Sequence, residues 1–209
     1  MWLLRFGIIM LVSCFYPAVA NELLPQYSCL SSIRAKILSG DLVFRRGTGF
    51  FSPYFMNAGK FSVPFSHVGI IVIRDKKLIV LHSVASEFTG IGGVRADSFE
   101  EFIAPSNSNA NAIYRVSAIE SQRQKAVEFA LNAERRKVPF DTAFNMKDTS
   151  KLYCTTLVWR AYKLAGIELV PLKDYVTFGG DTREIISLSN LLNSKYIHEL
   201  MQLKHTTED

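Results

Sequence analysis

Cys154, His67 and His82 are the side chains of this 209-residue chain whose types could carry out covalent chemistry together. Cys154 sits in the run Tyr153-Cys154-Thr155-Thr156-Leu157-Val158-Trp159. There Tyr153, Leu157, Val158, Ala161, Tyr162 and Ala165 recur at helical spacing and are expected to face a core. Ser150, or Thr149 before it, is the expected N-cap, and Gly166 the stop. A thiol in the first turn of a helix lies where free backbone N–H groups and the helix dipole favour a thiolate. A lone helix cysteine is more often a small buried hydrophobe. Chemistry at Cys154 therefore depends on finding it a base.

The histidines supply one. Ser66-His67-Val68-Gly69-Ile70-Ile71-Val72-Ile73 and Leu78-Ile79-Val80-Leu81-His82-Ser83-Val84 read as two strands joined by a polar turn over residues 74–77. In a regular hairpin Ile73 faces Leu78, so His67 faces Val84 and His82 faces Gly69. The two imidazoles then share one face, offset diagonally, with Cβ atoms within about 7–8 Å. A one-residue bulge in the turn would put them on opposite faces. Taken singly, each histidine is more often a satisfied, half-buried polar residue. His198 and His205 fall in the polar C-terminal tail. Two histidines and a cysteine could also hold zinc, but there is no HExxH, no CxxC and no carboxylate at ligand spacing. We rank a nucleophile–base pair above a metal site, and expect neither metal nor cofactor.

The elements that must position these residues follow from the rest of the chain. Residues 24–38 have a helical pattern ending at Ser39-Gly40, and Asp41 to Phe44 form a short strand. Gly47 and Gly49 lack the lysine a phosphate loop would need. The aromatic-rich stretch from Phe50 to Phe65 has no clear period: either a substrate-facing loop or, more commonly, a buried irregular segment. A loop is expected over Gly90–Gly93, and a short helical turn over Asp97–Ile103 starting at Asp97 or Ser98. Another loop covers Pro105–Asn111, followed by a strand over Ala112–Val116. Ser117-x-x-Glu120 looks like the capping box of a helix running to Arg136. A last helix is expected over Arg183–Asn193, with a frayed tail from Lys204. Strands early and helices late, joined by short connections, indicate an α+β protein.

Residues 1–20 carry one positive charge at Arg5, an apolar run and Ala18-Val19-Ala20. This is the pattern of a secretory signal cleaved after Ala20, leaving a single domain over 21–209 exported to the periplasm or cell envelope. Leu11-Val12-Ser13-Cys14 resembles a lipobox, which makes a lipoprotein anchored through Cys14 the minor alternative. Nothing after residue 20 approaches the roughly 18 apolar residues of a spanning helix. Loss of the leader leaves Cys29 and Cys154, which an oxidising compartment could pair. The formal charge of +5 falls to +4 when Arg5 is removed, with basic residues scattered. That balance suits an anionic envelope surface or simply a solvated face. No nucleic-acid motif is present.

Four pieces in this order resemble one family. They are Gly40-Asp41-Leu42-Val43-Phe44, Ser66-His67-Val68-Gly69-Ile70, Phe140-Asp141-x-x-Phe144 and Tyr153-Cys154-x-x-Leu157-Val158-Trp159. Together they resemble the circularly permuted papain-like cysteine hydrolases of the NlpC-type clan, which includes relatives of lecithin retinol acyltransferase. The resemblance implies a small antiparallel sheet packed against helices, with the nucleophile at a helix N-terminus. It places Cys154 as nucleophile, His67 as general base and His82 as the orienting third residue. Relatives commonly have glutamate at the position of His82, while the acyltransferase branch has histidine. Thr156 stands where the family often has an acid.

The expected function is an exported cysteine hydrolase that cleaves an amide or ester through Cys154, His67 and His82. Cell-wall peptides and lipid-linked amides are the candidate substrates. Acyl transfer to an acceptor other than water uses the same site, and a catalytically silent envelope-ligand module keeps only its shape.

Overall fold

In the computed structural model, the residues described are 33–86, 88–178 and 180–203. The expected leader, Cys14, Cys29, most of the 24–38 helix, His205 and the tail from Lys204 lie outside them. From Leu38 onward the described residues form one compact unit. Its elements in order are β1 (Leu42–Gly47), α1 (Ser52–Met56), β2 (His67–Arg74), β3 (Lys77–Ala85), β4 (Gly92–Ser98) and α2 (Phe99–Ile103). There follow β5 (Ser108–Val116), α3 (Glu120–Arg135), α4 (Cys154–Leu164), β6 (Asp174–Phe178), β7 (Asp181–Ile185), α5 (Leu188–Leu192) and β8 (Ile197–Leu203). Six strands make an antiparallel sheet in the order β4-β3-β2-β1-β5-β8, and β6-β7 form a separate hairpin. The fold is α+β, as expected.

The β2–β3 hairpin has the regular register, from Arg74↔Lys77 to Ile70↔Leu81. It turns through Asp75 and Lys76, both with positive φ (49° and 61°). Two successive left-handed residues give a turn whose twist matches that of the flanking strands, so no bulge displaces the histidines. Helices α3 and α4 pack on each other, and α4 lies against β2 and β3. Leu42, Phe44, Val68, Ile70 and Leu81 from the sheet join Ala126, Ala130, Leu157, Val158 and Tyr162 from the helices in one core. The six α4 positions predicted to face inward are all buried.

Helix α4 begins later than Ser150. Its N-cap is Tyr153, so Cys154 is the first helical residue. The cause is tertiary: Leu152 N–H donates to the Pro139 carbonyl at 3.0 Å, and Asp141 N–H to the Leu152 carbonyl at 3.2 Å. Those bonds, with Ser83 Oγ–H donating to Leu152 O at 2.6 Å, hold the lead-in extended. Thr156 completes the start, its hydroxyl accepting from Tyr153 N–H and donating to Tyr153 O, both at 2.9 Å. The Gly40-Asp41 motif braces the far side of the same helix. The Tyr162 hydroxyl donates to the Gly40 carbonyl, and a Cβ at Gly40 (φ +99°) would lie 3.0 Å from that hydroxyl. Asp41 is fully buried and bonded by Arg115 Nε at 2.8 Å and Nη2 at 2.7 Å.

Five other expectations are corrected, four of them through pairing between distant segments. Gly92 and Gly93, expected in a loop, and Asp97, expected in a helical turn, belong to edge strand β4, while Ser98, the second of the two expected starts, does cap α2. Strand β5 starts at Ser108 inside the expected loop because it runs alongside β1. Ser117 does not cap α3: its N–H donates to Tyr196 O at 2.7 Å and its hydroxyl meets His198 Nε2 at 2.8 Å. That places His198 on strand β8, where a polar tail was expected. Residues 183–185 belong to β7, and Ser187 instead caps α5 by accepting from Asn190 N–H at 3.0 Å.

Replacing Thr156 by Val keeps its volume but leaves the Tyr153 N–H buried without a partner. The expected outcome is a loss of about 1–2 kcal/mol, read as a lower urea midpoint with an unchanged slope.

Candidate active site

The sheet register brings the two histidines into contact. His67 Nε2 and His82 Nδ1 are 2.8 Å apart, with ring centroids at 5.0 Å and planes at 82°. His82 is completely buried, and its other nitrogen, Nε2, lies 2.8 Å from Asp97 Oδ2. Arg95 Nη2 donates to the same oxygen at 2.8 Å. Asp97 stands on β4, where Val80↔Asp97 and His82↔Arg95 are cross-strand partners. It is therefore diagonal to His82 across β3–β4, as His67 is across β2–β3. Sequence reasoning placed 92–98 outside the sheet and so missed Asp97. The alternation Val94-Arg95-Ala96-Asp97 was the signal that could have revealed this strand.

Tautomers follow from charge. Burial works against ionising Asp97, but the hydrogen bonds and charges of His82 and Arg95 outweigh it and lower its pKa to about 2. An ionised Asp97 can only accept, so His82 Nε2 carries the proton and His82 Nδ1 is bare. His67 must then donate through Nε2, which leaves His67 Nδ1 as a free acceptor. The line Asp97–His82–His67 thus ends in one basic nitrogen of fixed identity. Phe102 packs against both rings, stacked on His67 with centroids 5.8 Å apart and edge-on to His82 at 5.2 Å.

Cys154 is a free thiol, partly buried. Burial pushes its pKa up to about 11, against the opposing pull of the backbone N–H groups of Val68, Thr155 and Cys154 itself. The Val68 N–H puts the sulfur next to the residue that follows His67. No acidic side chain stands in the first turn of α4, so Thr156 leaves the positive end of the dipole unopposed beside the sulfur. His67 is held well below the usual imidazole value, first by burial and then by the charges of His82, Arg45 and Arg95. Both shifts disfavour charge, so Cys154 and His67 rest as a neutral thiol and a neutral imidazole at pH 7.

Both residues line one cavity of about 470 Å³. Its walls include Tyr54 and Phe55 of α1, Phe140 and Phe144 before α4, and Ile185 and Leu188 from the β7–α5 segment. Phe144 lies against Tyr153 at 5.1 Å and Phe55 at 5.8 Å between ring centroids. Tyr153 and Thr155 both grip Ile186, through Ile186 N–H to Tyr153 Oη at 2.9 Å and Thr155 Oγ1 to Ile186 O at 2.6 Å. The aromatic stretch around residues 50–58 thus faces the site. Ser66, ahead of His67, fixes the mouth by accepting from Gly47 N–H at 2.9 Å and Ser52 Oγ at 2.7 Å. Among the described residues no three of His, Cys, Asp and Glu converge as metal ligands.

Residues 36–202 match the family described as permuted papain-like amidase enzymes, the YaeF/YiiX, C92 family. The chain belongs to this family. Within it, the uncharacterized protein YiiX of Escherichia coli (strain K12) is 30% identical over 103 residues. That match covers 48% of this chain and 46% of YiiX, less than half of the relative's length. A solved structure described as metalloprotein YiiX from Escherichia coli O157:H7 has a TM-score of 0.64 at 19% identity, over 79% of this chain and 97% of that one. At that identity the likeness concerns the fold. Family and fold agree with the permuted papain-like resemblance drawn from the four motifs.

Two outcomes follow from this geometry. A Cβ at Gly69 would lie 2.4 Å from Val80 Cγ1, 3.1 Å from Leu81 O and 3.2 Å from His82 Cβ. Gly69→Ala should therefore push Val80 aside and shift the β3 backbone and His82 slightly with it, seen as altered His67 and His82 imidazole NMR shifts together with a lowered melting temperature. The second concerns pH. Folded His67 and His82 both titrate below the unfolded value of 6.5, so below about pH 6.5 the unfolded chain binds protons that the folded one refuses. Stability should be full above that value and fall as pH drops. Asp97 adds a further loss as pH falls from 3.8 towards 2. Urea midpoints at pH 7.5 and 5.0 check the first part, and His67→Gln should shrink the difference.

Proposed function

We propose that the chain is a thiol amidase in which Cys154 is the nucleophile, His67 the general base, and His82 and Asp97 hold His67 in the required tautomer. The observation that carries this reading is the hydrogen-bonded line from Asp97 through His82 to His67, which lines one cavity with Cys154, whose sulfur is met by the N–H of Val68, the residue after His67. As sulfur attacks the carbonyl carbon, His67 Nδ1 takes the thiol proton. The imidazolium formed is stabilised through His82 by the Asp97 carboxylate, which stays ionised. The Cys154 N–H is a donor for the developing oxyanion. His67 then passes its proton to the departing amine, and water, deprotonated by His67, releases the acyl group from sulfur. Because burial keeps the resting pair neutral, charge is created only during the reaction.

The fixed carboxylate commonly contributed by glutamate in relatives is supplied here by Asp97, one residue further along the line. That argues against a catalytically silent module. The cavity surface is mostly apolar, which favours an amide carrying an apolar acyl group over a cell-wall peptide, and the Ser, Thr, Asn and Arg side chains that also line it are left for the polar end of the substrate. The leader-like sequence at residues 1–20 supports export to the envelope, where lipid-linked amides are met. The word metalloprotein describes the YiiX of Escherichia coli O157:H7. In this chain the relay occupies both nitrogens of His82 and one of His67, so its donors do not fit a resident metal.

Assays with a long-chain N-acyl amide and a cell-wall tetrapeptide test the reading. Turnover is expected on the first, none with Cys154→Ala, and about a 10²–10⁴-fold lower kcat with Asp97→Asn at unchanged fold, because asparagine no longer dictates the His82 tautomer. Full activity in Cys154→Ala would overturn the mechanism.

A further inference from the structure

Arg45 lines the same cavity as Cys154 and His67, and the proposed reaction gives it no part. It stands on β1 directly opposite His67 in the ladder. Its guanidinium carbon lies 4.4 Å above the centre of the Phe102 ring, and Nη1 donates to the Phe102 carbonyl at 3.1 Å. Its Nε–H is buried and has no hydrogen-bond partner. No carboxylate pairs with it among the described residues. Asp97 is the strongest opposite charge acting on it, but its Oδ2 is already bonded by His82 and Arg95.

A guanidinium cannot relieve burial by losing its proton, so the cost of a half-buried cation with an unpartnered Nε and no carboxylate in ion-pair contact is only partly offset in the free protein. An arriving anion removes that cost and meets a planar fork suited to paired oxygens. We propose that Arg45 forms an anion subsite, receiving a carboxylate or phosphate group that the substrate carries close to the scissile amide. The substrate would thus be an apolar acyl chain amide-linked to an anionic amine. This rests on the amidase reading for its chemistry but not for its binding. Arg45 also acts electrostatically on Cys154, but that effect is the same for every substrate and cancels in a ratio of two.

Three probes share one acyl chain: N-dodecanoylglycine, its neutral counterpart N-dodecanoylglycinamide, and N-dodecanoyl phosphoethanolamine. The wild type is expected to favour an anionic probe over the neutral one by about 10–100-fold in kcat/KM. The better of the two anionic probes identifies carboxylate or phosphate as the source. Arg45→Gln should erase the preference, and Arg45→Lys should restore part of it. A wild-type ratio near one, or a preference that survives Arg45→Gln, overturns the subsite. Calorimetric Kd values for the same probes on Cys154→Ala separate the two readings. Equal affinities there refute the subsite, whereas preferential anion binding without any wild-type turnover supports it and refutes the amidase. Should Arg45→Gln not fold, the wild-type ratio and Arg45→Lys still decide.

Discussion

The register of the β2–β3 hairpin is the constraint on which the site depends. Side chains alternate along a strand, so a slip of one residue would send His82 to the opposite face and break both of its hydrogen bonds. The two-residue turn at Asp75-Lys76 sets that register at one end. Gly69 then leaves room for His82 to lie across its neighbour. Strand β4 repeats the diagonal offset on the other side and delivers Asp97. Three strands therefore build a line of polar groups inside an otherwise apolar layer, with each buried nitrogen of His82 given a partner.

Burial makes that line selective about charge. The same walls that raise the Cys154 pKa lower that of His67, so the pair rests neutral and Asp97 holds the fixed negative charge. A carboxylate placed directly on the base would favour a resting ion pair more strongly. With an imidazole in between, the negative charge acts from further away and serves mainly to fix tautomers. Thr156 fits this arrangement. An acid in its place would oppose the helix dipole beside the sulfur, whereas the threonine spends its hydroxyl on the Tyr153 backbone.

Helix α4 links this electrostatic line to the cavity. Its start is set by the extended segment pinned to Pro139 and Ser83, its first turn grips Ile186, and its far end is tied to Gly40. Each of the four sequence motifs therefore has a physical task. Gly40-Asp41 braces helix and sheet, Ser66 and Gly69 shape the approach to His67 and His82, Phe140 and Phe144 line the cavity, and the last motif carries the thiol. Only the second and fourth contain groups that could react.

Local physics made part of this legible from sequence alone. The β-branched strands, the polar turn between them and the helical spacing after Cys154 are short-range signals. They were enough to place His67 and His82 on one face and the thiol near a helix start, and the ordered motifs gave the family. What tertiary structure decided was everything set by pairing between distant segments. Residues 92–98 contain two glycines and few apolar side chains, so the short alternation from Val94 to Asp97 is a weak signal that the ladder with β3 completes, and Asp97 was missed with it. The start of α4 moved from Ser150 to Cys154 for the same reason, since Pro139 and Ser83 hold the preceding residues extended. The charge states of Cys154 and His67, and the unpartnered Nε of Arg45, depend on burial, which a sequence does not carry. The chain specified which groups could react, and packing decided which carboxylate stands behind them and what form they take at rest.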